Sequence, residues 1–466
     1  VNEVARRMAE VVGAANVVTD PAELLVYEAD GLTHGRTRPA LVVLPASTDE
    51  VVRIVAIARE AKVPLVPRGA GTGLSGGARP VEGGAVVSLA RMRRILEIDL
   101  ANGWARVEPG VINLDVSRAV AGAGMYYAPD PSSQGVCSIG GNVAENSGGA
   151  HCLKYGFTTN HVLAAKVVLS DGAVVELGGP AADAPGYDLL AALVGSEGLV
   201  GIVTEVTLRL LRKPEITRTF FATFPSTDEA GNAVSGIIAA GILPAAIEMM
   251  DRLAIEAAKA ATGLDWPDVG AALLMDADGP RAEVEHVAAR AIEIARAAGA
   301  LEIRVPRDDA ERALMWKGRK SAFAAVGRIS PSYLVEDGVI PRSEIARVLR
   351  EIERMAKEVG LRVANVFHAG DGNLHPLVLY DARNPGEEER AARLGGEILR
   401  LCIRSGGSIT GEHGVGAEKA QYMAEQFGKE DLETMARVRC AFDGIHLMNP
   451  GKVFPTPRLC GEKPGP

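Results

Sequence analysis

Short apolar runs alternate with helical stripes through the first third of the chain. Ala40-Leu41-Val42-Val43-Leu44-Pro45 has the length and β-branched content of a buried strand. Ser47-Thr48-Asp49-Glu50 follows with capping-box spacing, and Val51, Val52, Val55 and Ala58 then line one helical face. Leu65-Val66-Pro67 is the next strand, so the pattern predicts a βαβ unit that runs directly into a glycine-rich segment, Arg68 to Gly77. Further strands are predicted at Ala85–Leu89, Ile95–Ile98 and Trp104–Val107, with a helix over Asn113–Ala123. Strand patterns return at Val162–Leu169, Val174–Leu177 and Ile202–Leu208.

The pattern changes near Lys213-Pro214. Beyond it, Ile345, Val348, Leu349, Ile352, Met355 and Val359 form one apolar stripe, and residues 281–298 form another. Strands at Phe220–Phe224, Ala271–Met275 and Leu374–Tyr380 separate these long helices, which predicts an α+β layer covering one face of a sheet. The expected division is a first domain over 1–212 with its core at 38–212, a second over 213–415, and a helical segment over 416–466 that returns to the first.

At 466 residues the chain is too long for one hydrophobic core. Its 53 glycines cluster without a repeat, which points to backbone approaching a ligand and not to a fibrous chain. A formal net charge of −9 disfavours non-specific nucleic-acid binding. No apolar run reaches the roughly 18–20 residues of a membrane span, and the first residues, Val1-Asn2-Glu3-Val4, read as a trimmed start without a secretory signal. Cys137, Cys152, Cys402, Cys440 and Cys460 are scattered and form no CxxC. They are expected to be the reduced thiols of a cytoplasmic protein, with no iron–sulfur cluster in this chain. Redox chemistry would then need an organic cofactor or a partner chain.

Two later segments carry the densest chemistry: Phe367-His368-Ala369-Gly370-Asp371-Gly372-Asn373-Leu374-His375 and Gly411-Glu412-His413-Gly414. A strand ending at His368 and another beginning at His375, joined by a tight glycine turn, would bring two imidazoles together. With Glu412 they make a two-histidine, one-carboxylate set suited to a divalent metal with open positions. His413 is left as a candidate base. For any one histidine alone, a satisfied core residue is the competing reading.

Three separated glycine blocks suggest a long phosphate-bearing ligand: Arg68 to Gly77, Ser138 to Gly149, and Gly195-Ser196-Glu197-Gly198-Leu199-Val200-Gly201. A plain loop is the alternative for each block taken singly. The Rossmann and Walker spacings are absent, which disfavours ordinary NAD and ATP folds.

Taken together, Pro67-Arg68-Gly69-Ala70-Gly71-Thr72-Gly73, Pro129-Asp130-Pro131, Ser138-Ile139-Gly140-Gly141-Asn142, Asn146-Ser147-Gly148-Gly149 and the turn from Glu197-Gly198 to Gly201 resemble the FAD-linked 2-hydroxy-acid oxidases and dehydrogenases. These share the vanillyl-alcohol-oxidase (PCMH-type) FAD-binding fold, and the likeness spans essentially the whole chain. Within the family, His151-Cys152-Leu153-Lys154-Tyr155-Gly156 and Asn449-Pro450-Gly451-Lys452 resemble the D-subunit of bacterial glycolate oxidase, with D-lactate and D-2-hydroxyglutarate dehydrogenases as relatives.

The resemblance implies FAD as cofactor. Pro67, Arg68, Gly69, Ala70, Gly71, Thr72, Gly73 and Ser75 would wrap its pyrophosphate. Pro129, Asp130, Ser132 and Ser133 would flank the isoalloxazine and ribityl region, and Ser138, Gly141, Asn142 and Gly148 would continue along it. Glu197, Gly198 and Asn449 belong to the same motifs, and Ile202 and Val203 would meet the adenine by backbone. Thr72 and Leu74 stand where some relatives carry a linking histidine, so non-covalent FAD is expected, with Cys152 a remote alternative for linkage.

The matching metal positions are His368, His375 and Glu412, with zinc the usual ion. Arg319, within Trp316-Lys317-Gly318-Arg319-Lys320, matches the arginine that grips the substrate carboxylate. Its planar fork suits that task better than Lys317 or Lys320. Asn373 would hydrogen-bond the substrate oxygen and His413 would take the hydroxyl proton. Asp371 reads as a turn residue, with a partner of the metal ligands as the alternative, and for Lys419 a role in steadying the anionic site is the less favoured reading.

The expected reaction is glycolate to glyoxylate, with D-lactate or D-2-hydroxyglutarate as alternatives. The resemblance implies an FAD-domain-like subunit and an iron–sulfur subunit as acceptors, with a lone enzyme that passes electrons to a soluble carrier as the alternative. The chain is expected in the cytoplasm, with a position peripheral to the inner membrane open through those partners. A non-catalytic flavin-binding subunit and an NAD(P)H-using flavin reductase are the rival functions.

Overall fold

In a computed structural model that describes residues 2–32, 34–181, 186–263 and 265–455, the chain divides into two compact units. One comprises Val1–Gly148, Phe157–Lys213 and Glu412–Pro466, and the other Gly149–Gly156 and Pro214–Gly411.

The first unit holds two larger sheets and a two-stranded one that pairs Met125–Tyr126 with Leu211–Arg212. Strands β1 (Val17–Val18), β2 (Leu41–Val43), β3 (Leu65–Arg68) and β4 (Ala85–Ser88) lie in the order β1-β2-β4-β3. Helix α1 (Thr48–Ala61) joins β2 to β3, and the Ser47 hydroxyl caps it by accepting from Glu50 N. The predicted βαβ unit is present, but β2 and β3 are not neighbours. Each pairs in parallel with β4, which slots between them.

The second sheet is antiparallel, in the order β5-β6-β9-β7-β8, built from β5 (Ile95–Asp99), β6 (Trp104–Val107), β7 (Val162–Val168), β8 (Val174–Gly178) and β9 (Ile202–Arg209). Helix α2 (Ile139–Glu145) carries the second glycine block. The chain's end returns to this unit: Leu447 and Met448 are buried in one core cluster with Leu41, Leu65 and Val87.

The second unit is built on a nine-stranded sheet. Its elements in chain order are β10 (Ile216–Phe224), α3 (Thr227–Ala239), β11 (Ala246–Asp251), α4 (Arg252–Thr262), β12 (Ala271–Gly279), α5 (Arg281–Ala297), β13 (Glu302–Arg304) and α6 (Asp309–Ala325). Then come β14 (Ser332–Val335), β15 (Gly338–Val339), α7 (Ile345–Val359), β16 (Arg362–His368), β17 (Asn373–Leu374), β18 (Pro376–Tyr380) and α8 (Glu387–Arg404). The main strand order is β13-β10-β12-β11-β16-β17-β15, with β18 joining β16 to β14.

The expectation that helices cover one sheet face is corrected. Phe220, Ala222, Phe224, Leu273 and Met275 pack against α3, α5, α7 and α8. Their neighbours of opposite parity, Phe221, Ala272 and Leu274, pack against α4 and α6. Because successive side chains point to opposite faces, an unbroken apolar run such as Phe220–Phe224 buries both.

Three further differences bear on the site. The predicted strand Leu374–Tyr380 is broken at His375, which lies between β17 and β18 and does not begin a strand. Gly149–Gly156, expected in the first domain, belongs to the second unit, where Lys154 Nζ lies 2.7 Å from Asp278 and the Tyr155 hydroxyl donates to the same carboxylate. Glu412 to Val415, expected in the second domain, belong to the first unit. Cys137, Cys152 and Cys402 are free and buried, and Cys460 lies outside the described residues.

Candidate active site

In the first unit the three glycine blocks converge. A Cβ added at Gly69 would fall 2.2 Å from Ser138 Oγ, so the first block lies against the start of α2 with no room for a side chain. The third block hydrogen-bonds to the end of α2, through Gly195 N to Val143 O and Glu197 N to Ala144 O, both 2.8 Å. Gly198 abuts Pro67, with a built Cβ 3.3 Å from its ring. Glu197 adopts a left-handed φ of 52° and accepts from Val415 N and Gly416 N, each at 2.7 Å. Asn449 Nδ2 closes the arrangement by donating to Gly77 O and Glu197 O.

Two features of this cradle suit a polar, elongated cofactor. At Gly69, Gly71 and Gly198 a Cβ would press on Ser138, Arg68 and Pro67, so the loops come together through backbone that carries no side chain. Ser75 Oγ and Asn449 Oδ1 are buried without a hydrogen-bond partner among the described residues, a costly state unless a ligand meets them. Thr72 and Gly73 lie half-buried along the same loop, next to Ala70, which is exposed.

Other expected cofactor residues have defined neighbours. Arg68 is buried, donates to Ala29 O at 2.8 Å, and packs under Gly71, so its guanidinium is already engaged by protein. Asn142 is buried and accepts from Asn113, whose amide also donates to Pro129 O. Asn113 thus ties the Pro129-Asp130-Pro131 turn to α2, and nothing in its local sequence announced that role. Ser132 is exposed and Ser133 half-buried in the turn that follows. Gly141 N is capped by Ser138. β9 pairs with β7 from Ile202 onward but with β6 only from Val206, so Ile202 and Val203 keep one strand edge clear of β6.

The end of the first unit carries Glu412 and His413, with the His413 ring nitrogen 3.8 Å from the Glu412 carboxylate. Gly148 faces Glu412, since a Cβ there would meet its Oε2 at 2.7 Å. Lys419 is buried and donates to Gly414 O, so it braces this turn.

In the second unit the strand register builds the rest. Glu248 on β11 pairs directly with His368 on β16, which pairs directly with Asn373 on β17. Directly opposed residues share a sheet face, so all three side chains lie on the face covered by α4 and α6. Gly372, with φ 81°, makes the return possible, because a Cβ there would lie 2.1 Å from Ile340 O. Asp371 caps the same turn by accepting from Asn373 N.

His368 and His375 stand edge to face with centroids 5.1 Å apart. His368 Nδ1 lies 2.7 Å from Glu248 Oε1, and Glu248 Oε2 pairs with the Arg319 guanidinium from α6. Burial pushes the Glu248 carboxyl upward, but Arg319 and His368 outweigh it and hold the group below the usual carboxylate range. Of the three cations in the α6 motif, Arg319 is buried, Lys320 half-buried and Lys317 exposed. Asn373 is 2% exposed, and neither atom of its amide has a hydrogen-bond partner among the described residues. His375 Nδ1 lies 3.7 Å from Asp337, which also accepts from Thr410 Oγ1 and Gly411 N. Asp337 therefore holds the Thr410–Gly411 peptide.

Within the second unit, two imidazoles and an unsatisfied buried amide are donors of the kind that suit a borderline divalent cation and an oxygen ligand. Glu248 and Asp337 were missed from sequence. The available signal was a lone acid inside an apolar run, Ala246-Ile247-Glu248-Met249-Met250, and an acid pair at Glu336-Asp337 between two strands.

A glycine-lined cradle in one unit and a histidine–carboxylate–arginine constellation in the other define a two-part cofactor-dependent oxidoreductase. The family models agree: "FAD binding domain" matches residues 39–178 and "FAD linked oxidases, C-terminal domain" matches 213–453. The chain belongs to the FAD-linked oxidase family and is an FAD-linked oxidoreductase.

It is 51% identical over 97% of its length, and 91% of the relative's, to "Glycolate oxidase subunit GlcD" of Escherichia coli (strain K12). It is 41% identical to the protein of the same name in Bacillus subtilis (strain 168), with 97% of each chain covered. Over 90% of each chain it is 33% identical to "D-lactate dehydrogenase" of Anaerostipes hadrus. Among solved structures, p-cresol methylhydroxylase superposes with a TM-score of 0.82 at 17% identity, covering 97% of this chain and 96% of that one. A 4-ethylphenol oxidase from Gulosibacter chungangensis gives 0.80 at 21% identity, covering 98% and 97%. The fold is the vanillyl-alcohol-oxidase, PCMH-type one expected from the motifs, with an α+β second domain.

Proposed function

We propose that this chain oxidises a short 2-hydroxy acid to the 2-oxo acid, with glycolate as substrate and D-lactate as the second choice. The observation that carries this reading is the shared sheet face that holds His368, Asn373 and, through Glu248, Arg319. One cation and one polar amide beside two imidazoles suit a small molecule that carries a carboxylate next to a hydroxyl. The names of the 51% and 33% identical relatives support the choice of substrates.

In this reading His368, His375 and Glu412 hold a divalent cation, zinc by preference, and the converging glycine blocks hold FAD without a covalent bond. When bound, the cation acidifies the substrate hydroxyl and the flavin accepts a hydride. The chain's own groups do the rest. Arg319 pairs with the substrate carboxylate through donors that Glu248 does not occupy. Asn373 satisfies its buried amide on the substrate oxygen. His413 takes the hydroxyl proton, which commits the neighbouring C–H bond to break with its electron pair. Pro67 to Gly73 with Ser75, Ser138, Gly141, Asn142, Gly148, Glu197, Gly198, Ile202, Val203 and Asn449 hold the cofactor, with Pro129, Asp130, Ser132 and Ser133 toward its ring end.

Electrons then leave to partner subunits, an FAD-domain-like chain and an iron–sulfur chain. The relatives' description as subunits supports that assignment. Among the described residues no helix is long and apolar enough to cross a membrane, and in this reading the chain is cytoplasmic and meets the inner membrane through those partners.

Steady-state kinetics with an artificial acceptor on glycolate, D-lactate and D-2-hydroxyglutarate test the substrate. The expected order places glycolate first, and a preference for the five-carbon diacid overturns it. In the same assay His413→Ala should abolish flavin bleaching by substrate while FAD stays bound. Unchanged bleaching removes His413 from the mechanism.

A further inference from the structure

We propose that Glu248 is a positioning residue that presents His368 to the cation through Nε2 and fixes the Arg319 guanidinium at the same time. The inference rests on the reading of His368 as a metal ligand. Glu248 is fully buried in the middle of an apolar strand, where an ionised carboxylate persists only with partners.

It has two. Oε1 lies 2.7 Å from His368 Nδ1, and Oε2 pairs with Arg319 Nη2. An ionised carboxylate can only accept, so the imidazole proton must sit on Nδ1. That leaves the Nε2 lone pair as the only ligand atom His368 can offer. The geometry is set by the sheet, because Glu248 and His368 are direct register partners across β11 and β16.

On the other side, the same carboxylate orients Arg319, whose Nε is buried and finds no acceptor among the described residues. Donor capacity therefore remains on the guanidinium for an anion. One carboxylate sets both the tautomer of a ligand and the aim of the cation that would grip the substrate.

The test compares zinc affinity, read by competition with a fluorescent chelator on the FAD-loaded protein, in the wild type, Glu248→Gln and the double variant Glu248→Leu/Arg319→Met. Both variants should bind zinc about 10–100-fold more weakly, the usual loss when an outer partner of a ligand is removed. If Glu248 serves only to neutralise Arg319, the double variant, with neither charge, binds zinc as the wild type does and the proposal falls.

A measurement on the wild type guards against misfolded variants. In 15N spectra of the zinc-loaded protein, the His368 resonance, assigned by its loss in His368→Gln, should show a protonated Nδ1 and a metallated Nε2. Metal on Nδ1 overturns the assignment. No zinc binding by the wild type would instead remove the metal reading itself, a result distinct from equal binding by wild type and double variant.

Discussion

Glu248 and His368 are separated by 120 positions in the chain, yet they face each other across paired strands with Oε1 2.7 Å from Nδ1. Arg319 completes the pair from helix α6. This buried triad is where the two readings of Arg319 meet: a residue matched to substrate binding is also the counter-charge of a structural carboxylate.

Its removal should therefore cost stability as well as activity. Arg319→Ala leaves the Glu248 charge short of a partner in a fully buried position, which is expected to destabilise the protein by about 3–5 kcal/mol. Glu248→Leu/Arg319→Met, with both charges gone and the volume kept, should lose much less. Urea unfolding of the two variants beside the wild type makes the comparison. Equal losses would show that the pair is not coupled.

Gly411 is the closest support of Asn373. A Cβ there would fall 2.4 Å from the Asn373 amide carbon. Gly411→Ala must push that amide aside, and a shift of about 1 Å at a reacting centre can lower the rate on the order of 100-fold. The expected result is a depressed kcat with FAD content unchanged. An unaffected kcat would exclude Asn373 from the reaction.

Gly71 has φ 72°, and a Cβ there would lie 2.2 Å from the Arg68 guanidinium. The left-handed backbone alone costs a side chain about 1–3 kcal/mol. Gly71→Ala should therefore weaken FAD retention by roughly 5–150-fold, read as flavin absorbance after gel filtration at increasing dilution. Full retention would remove this loop from the cofactor site.

Glu197 provides a pH signature for the first unit. Burial lifts its carboxyl from 4.5 to about 6, against the opposing pull of Val415 N, Gly416 N and Lys419. Between those values the folded protein keeps a proton that the unfolded chain has released. The contribution is fully present below pH 4.5 and is lost as pH rises through about 6, a difference of about 2 kcal/mol. Asp251, raised from 3.8 to about 6 by burial in the second unit, adds a slope of the same sign. Glu197→Gln should reduce, without abolishing, the fall in unfolding free energy between pH 4.5 and 6.5. An unchanged slope would show that Glu197 does not titrate there.

Local pattern determined a large part of this protein. The α1 stripe with its Ser47 cap, the α7 stripe from Ile345 to Val359 and the strands around the glycine blocks were legible because each depends on near neighbours. The histidine turn was legible for the same reason, since Gly370 to Asn373 must reverse the chain between His368 and His375. The glycine motifs identified the family through residue types that backbone geometry demands.

What the sequence could not supply was register. β4 enters between β2 and β3 through a segment that gives no sign of its partners. Glu248 becomes the companion of His368 and Arg319 only when β11 lies beside β16 and α6 packs over that face. Asp337 becomes the anchor of the Gly411 peptide only when the chain returns from α8. These are contacts between residues far apart in sequence, and hydrophobic burial of whole strands and helices chooses them. The sequence by itself determined which chemical groups are present and which turns they sit in. Tertiary structure decided which carboxylate meets which imidazole, because that depends on how strands pair and not on any residue's neighbours.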